Sequence, residues 1–206
     1  ESKLNIRLDS DKINVYEALR KHMSSLRGIQ GLVKGSCTIT GTVLKPAYNG
    51  TATLAPFRYR GFLLPMVDAT FDGTMTKFHL SNATAKLREG SITGKALLQK
   101  KNDGWYSDLN ITGSEVDLKQ FGAYLPEGFR ERLGGHTSFT VSGNGRLDKF
   151  EGKGSVESRW LRFMGVQLKH LRAPFYIADG YAIMEDVNAE MNGGKLKGGA
   201  ASDLTK

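Results

Sequence analysis

The chain has one cysteine, Cys37, in 206 residues. A lone thiol excludes an internal disulfide framework and a zinc site built from cysteines. Proline is scarce, with 5 in the chain, so collagen-like and Pro-rich low-complexity architectures fail. There is no apolar run of the ~18 residues that a membrane-spanning helix needs. The densest such run is only Gly61-Phe-Leu-Leu-Pro-Met-Val67. The motifs of common catalytic sites are missing as well. His22, His79, His136 and His170 have no metal-ligand spacing, and no Gly-x-Ser-x-Gly elbow occurs. Lys34-Gly35-Ser36 and Gly193-Gly194-Lys195 are turn fragments without phosphate-loop spacing, and Gly143-x-Gly145 stops short of a third glycine. No enzyme activity, metal or cofactor is therefore expected. The charge is one-sided, 29 basic against 21 acidic residues, or +8. The basic residues are scattered, however, and the densest cluster is Lys100-Lys101. No nucleic-acid partner is expected, and mild attraction to anionic lipid head groups suits the charge equally well. The chain opens on Glu1 without a visible signal peptide. It reads as a piece of a longer protein whose membrane anchor lies elsewhere.

What the chain does have is glycine, 25 of 206 residues, well above the usual ~7%. The glycines punctuate short alternating stretches. Residues 36–43 place Cys37, Ile39 and Val43 on one parity and Thr38, Thr40 and Thr42 on the other. Residues 66–72 oppose Val67, Ala69 and Phe71 to Met66, Asp68, Thr70 and Asp72. Residues 83–88 oppose Ala83, Ala85 and Leu87 to Thr84, Lys86 and Arg88. A period of two predicts strands with one dry and one wet face. Asn49-Gly50, Asp72-Gly73, Glu89-Gly90, Asp103-Gly104 and Asp179-Gly180 supply turn chemistry between runs. Helical spacing appears twice, in Val15, Leu19, Met23 and Leu26, and in Leu118, Phe121, Leu125, Phe129 and Leu133 with Pro126 inside, after which a second turn is expected. These predict short helices over about 14–27 and 117–125.

The chain also repeats itself. A shift of 104 aligns Arg58 with Arg162, Gly61 with Gly165, Leu64 with Leu168, Ala69 with Ala173 and Phe71 with Phe175. It also aligns Ala85 with Ala189, Gly90 with Gly194, Gly94 with Gly198 and Ala96 with Ala200. These nine identities in forty positions exceed the roughly two or three expected from composition. We therefore expect two repeats, 1–107 and 108–206, joined without a linker as one unit. Each is a short helix followed by about six or seven strands. At ~4.8 Å per strand the pair would span roughly 65–70 Å.

The segment Leu171-Arg-Ala-Pro-Phe-Tyr-Ile-Ala-Asp-Gly-Tyr-Ala-Ile-Met-Glu-Asp-Val-Asn-Ala-Glu-Met-Asn-Gly-Gly-Lys-Leu-Lys-Gly-Gly-Ala200 resembles the AsmA-like proteins, a family that includes the TamB group. Phe71-Asp-Gly73 with Ala83-Thr-Ala-Lys-Leu-Arg-Glu-Gly-Ser-Ile-Thr-Gly94 is a looser copy. Thr40-Gly-Thr-Val-Leu-Lys-Pro-Ala-Tyr-Asn-Gly50 and Val141-Ser-Gly-Asn-Gly-Arg-Leu-Asp-Lys-Phe-Glu-Gly152 resemble a second phrase of that family. The resemblance covers nearly the whole chain. It implies an open antiparallel β array folded into an apolar-lined groove, or β-taco. It further implies an inner-membrane-anchored protein of the bacterial periplasm that moves phospholipid toward the outer membrane, with an outer-membrane barrel partner for the TamB group. No catalytic residue is implied.

The alternation names the positions expected to line the groove: Val67, Ala69, Phe71, Ala85, Leu87 and Ile92 in the first copy, and Leu171, Ala173, Phe175, Val187, Met191 and Leu196 in the second. Small residues among them leave room for a ligand, whereas a closed β-sandwich core would call for more bulk. Two functions remain in view: shielding phospholipid acyl chains in the groove, or receiving strands of outer-membrane barrel proteins on an exposed edge. In an open groove, Ala69→Asp and Ala173→Asp are both expected to leave the chain folded.

Overall fold

The computed structural model describes residues 2–14, 17, 29–59, 62–120, 132–146 and 149–203. The strands are β1 (Lys3–Asn14), β2 (Ile29–Thr42), β3 (Pro46–Tyr59), a short β4 (Phe62–Leu64), β5 (Met66–Thr74), β6 (Lys77–Lys86) and β7 (Ser91–Lys101). They continue as β8 (Gly104–Asp117), β9 (Leu133–Arg146), β10 (Lys149–Phe163), β11 (Val166–Ala178), β12 (Tyr181–Met191) and β13 (Gly194–Asp203). All belong to one antiparallel sheet in which each strand neighbours the next in sequence, except that β4 pairs with β3 off the main path. Pro65 causes that exception: lacking an N–H, it ends β4 before β5 takes the place beside β3. β1 and β13 are the two edges, so the sheet is open and not a barrel.

A closed sandwich is excluded by burial. A compact 22.6 kDa chain would expose about 9,500 Å², whereas this one exposes 13989 Å². The almost fully buried apolar side chains among the described residues are Ala85, Val116, Leu133, Leu161, Ala173 and Ala189. Half of these are alanines, far short of a two-layer core.

The sequence expectations need three corrections. Asn14 and Asp117, the expected first residues of two helices, each also end a strand, β1 and β8, and Leu133, expected at helical spacing, opens β9. The second expected helix has only a tight 3₁₀ turn at 118–120 among the described residues, and 121–125 lie outside them. Most of the first, 14–27, also lies outside them, although Asn14 Oδ1 accepts a hydrogen bond from the N–H of helical Glu17 at 3.4 Å, as a helix cap does. Val43, expected on the apolar side of a strand, sits in the β2–β3 turn and is 67% exposed. The sheet is also shorter than expected. Twelve strands lie on its path, giving about 53 Å at ~4.8 Å per step.

Strand limits recur along the chain. Adding 104 to β2 (29–42) gives β9 (133–146), and adding 104 to β6 (77–86) gives 181–190, inside β12. Residues 107 and 108 both lie within β8, so no structural break separates the halves.

Candidate functional site: one apolar face

The register converts the alternation of each strand into continuous rows. One row runs Ile13–Val33–Leu54–Val67–Ala85–Ile92–Gly113–Phe139–Val156–Ala173, across ten strands. Two residues along, or three on β1 where the ladder bulges, lies a second: Ser10–Gly35–Ala52–Ala69–Ala83–Gly94–Ile111–Val141–Gly154–Phe175. A third contains Leu8, Cys37, Gly50, Phe71, Leu80, Ala96 and Leu109. One residue from the first row, on the opposite face, runs Lys34–Thr53–Asp68–Thr84–Thr93–Thr112–Thr140–Ser155. There the Thr53 hydroxyl donates to Asp68 at 2.7 Å. The pleat thus separates a hydroxyl-rich face from an apolar one over most of the sheet.

Glycines bend the sheet toward the apolar face. At Gly35, Gly50, Gly73, Gly143 and Gly154 a Cβ directed off this face would come within 2.1–2.4 Å of a carbonyl oxygen on the adjoining strand. Real Cβ atoms are not found so close, so each marks a crease where only glycine lets the neighbouring backbone fold over. The creases fall between β2 and β3, β5 and β6, and β9 and β10.

The space left by these glycines is taken by rings. Phe71 is paired with Gly50, and its Cζ would be 2.8 Å from an added Cβ. Phe175 is paired with Gly154 in the same way, at 2.6 Å. Tyr48 lies on Gly73 and Phe139 on Gly113. The pair Gly154/Phe175 stands 104 residues after Gly50/Phe71. Phe71 also stacks on Phe78, with centroids 6.2 Å apart, and meets Tyr48 at 6.4 Å. The Tyr48 hydroxyl donates to the carbonyl of Lys77 at 3.2 Å. Burial, then the charges of Asp72 and Cys37, push its pKa above the ordinary value.

Nearly all the positions named from the sequence share this apolar face. Val67, Ala85, Ile92 and Ala173 share the first row, Ala69 and Phe175 the second, and Phe71 the third. Leu171 pairs with Ser158, Met191 with Leu168, Val187 with Gly198 and Leu196 with Ala189. Leu87 is not on a ladder: it follows β6, and its N–H donates to Gly90 in the turn. The sequence reading overlooked Ile13, Val33, Leu54, Phe139, Val141 and Val156. Their period of two was available as a signal. The glycine–ring pairs had none, because the partners are about 20 residues apart and meet only through register.

The polar face carries a hollow of about 390 Å³ lined by Glu115, His136, Glu157, Arg159, His170 and Arg172 among others. Its charges are of both signs and exposed, with Arg172 Nε 3.8 Å from Glu157 Oε1. Beside it His136 Nε2 is hydrogen-bonded to Glu89, which holds that carboxyl below the usual range, chiefly through this bond. Among the described residues no group of His, Cys, Asp or Glu is arranged to hold a metal ion. No helix among them is long and apolar enough to cross a membrane.

No family model, curated protein or solved structure matches this chain.

Proposed function

We propose that this protein shields phospholipid acyl chains on its apolar face and so carries lipid along the sheet, as one segment of a periplasmic lipid-transfer path serving the outer membrane. The observation that carries this reading is the ten-strand apolar row, continuous in register and unbroken by a charge. It lies on the side toward which glycine creases bend the sheet. The role needs no covalent chemistry and no cofactor. An acyl chain moving along the row exchanges one apolar surface for another, each CH₂ kept from water contributing about 0.8 kcal/mol. Because the row crosses strands at right angles, a chain laid along it passes from strand to strand without meeting the hydroxyl rows. The periplasmic setting and an inner-membrane anchor outside this segment follow from the family resemblance. The half-buried state of Val33, Leu54, Val67, Ile92, Phe139 and Val156 in that row supports the chemistry.

The test is photo-crosslinking. A photoreactive residue at Phe71 or Phe175 captures phospholipid, and one at Asp72 or Lys86, on the polar face, does not. Equal capture at both sets, or none, rejects the reading.

A second reading rests on the edges. β13 is exposed along almost its whole length, and its outer edge has no strand paired to it among the described residues. Such an edge accepts an extended segment by backbone hydrogen bonding, as a scaffold for outer-membrane barrel strands would require. Co-purified lipid supports the first reading, and barrel peptide paired on β13 supports the second.

A further inference from the structure

The most exposed large apolar side chains of the described residues are not on the apolar face. Leu44 is 77% exposed, Met75 71% and Val43 67%. All three sit at hairpin tips. In the β2–β3 tip, Thr42 and Lys45 exchange backbone hydrogen bonds at 3.3 and 3.1 Å, and the Lys45 N–H also reaches the Thr42 hydroxyl at 3.2 Å. This closes a tight turn with Val43 and Leu44 as its two central residues. Turn centres favour Gly, Asn, Asp and Pro for conformational reasons. A β-branched residue followed by leucine there does not serve the turn, and both side chains stand mostly exposed.

The second tip, between β5 and β6, carries Met75. It stands at the same rim, because Ala47 pairs with Thr74 just behind the two turns. The β7–β8 hairpin joins them: the Lys100 N–H donates to the Thr76 carbonyl at 2.8 Å. Around the three apolar side chains these tips carry Lys45, Lys77, Lys100 and Lys101 against one acid, Asp103, a local balance of 4 − 1 = +3.

We propose that this rim docks the protein on an anionic bilayer surface. Val43, Leu44 and Met75 enter the boundary between head groups and acyl chains, and the flanking lysines lie along it with their ammonium groups at lipid phosphates. Apolar tips with a collar of long cationic side chains are the composition of interfacial membrane contacts. Protein interfaces are depleted in lysine, so the collar favours a lipid surface over a protein partner. Docking at the rim does not depend on what occupies the apolar face.

The experiment floats the purified chain with vesicles of phosphatidylcholine alone or with about three-tenths phosphatidylglycerol. The expected result is binding to the anionic vesicles that weakens with salt. Val43→Ser/Leu44→Ser/Met75→Ser should lose roughly ten-fold or more of it, and Lys45→Gln, Lys77→Gln and Lys100→Gln about five-fold each. In Leu44→Trp, the emission that anionic vesicles add to that of the unsubstituted chain shifts to the blue and is quenched by brominated acyl chains. Undiminished binding by the triple serine variant, or no Leu44→Trp response, overturns the proposal. Vesicle-free self-association that disappears in the triple serine variant also overturns it, assigning the tips to a second copy of the chain. Ala69→Asp, which targets lipid on the apolar face, should dock as the unsubstituted chain does, so the two proposals fail separately.

Discussion

Three glycines on the apolar face test the crease directly, because the same substitution should change stability in opposite senses. At Gly94 an added Cβ meets only Asn110 O at 3.5 Å and Ile111 Cγ1 at 3.7 Å, ordinary contact distances. Gly94→Ala should therefore stabilise by about 0.4–1 kcal/mol through reduced freedom of the unfolded chain. At Gly113 the Cβ would stand 2.2 Å from Phe139 Cε1. A ring can turn aside, so Gly113→Ala should cost about 1 kcal/mol, the worth of the displaced contact. At Gly154 the obstacle is backbone: Thr140 O at 2.1 Å, with Phe175 Cζ at 2.6 Å behind it. Here β9 itself must retreat and the crease must open, at a cost of about 2–3 kcal/mol. For a chain of this size 1 kcal/mol moves the melting temperature by about 2–4 °C. The three variants should thus rank Gly94→Ala above the unsubstituted chain, Gly113→Ala below it and Gly154→Ala lowest. Thermal melts followed by circular dichroism read this order. If Gly154→Ala melts at or above the unsubstituted chain, the sheet is not creased at β9–β10 and the reasoning is wrong.

The structure separates two aspartate variants that sequence alone treats alike. Ala69 is half-buried, so Ala69→Asp should fold normally and lose lipid loading, whereas Ala173 is 4% exposed. Ala173→Asp places a carboxylate where water is largely excluded and should lower stability by about 1–3 kcal/mol, as read from paired melts. Glu89 has a pKa lowered from its ordinary value of 4.5, mainly by the hydrogen bond to His136. Its contribution is thus present above the unfolded value and lost as pH falls through the folded one. Glu89→Gln should accordingly differ from the unsubstituted chain near pH 7 and converge with it once the pH has fallen below that lowered pKa. A gap that persists unchanged in acid argues against the contact.

Much of the fold was legible because strand alternation is local chemistry. Val67, Ala69 and Phe71 against Asp68, Thr70 and Asp72 already declare one dry and one wet face. The same locality explains the errors. Val43 continues the parity of Cys37 and Ile39, and nothing in eight residues reveals that the chain turns at Thr42. Leu133 continues the helical spacing of Leu118 and Leu125, yet it opens β9 because β10 offers it a ladder partner.

By itself the sequence determined the all-β class, the absence of an internal disulfide framework, the two-faced strands and nine identities at a shift of 104. Each depends on composition, spacing or self-similarity along one chain. Only tertiary structure decided that the thirteen strands of the described residues form a single open sheet, with Phe71 on Gly50 and Phe175 on Gly154. Register brings together residues about 20 positions apart, and it alone turns separate alternating segments into one apolar row. Whether a glycine marks a turn, as Gly90 does, or a crease, as Gly154 does, depends on the neighbouring backbone. That neighbour exists only once the sheet has formed.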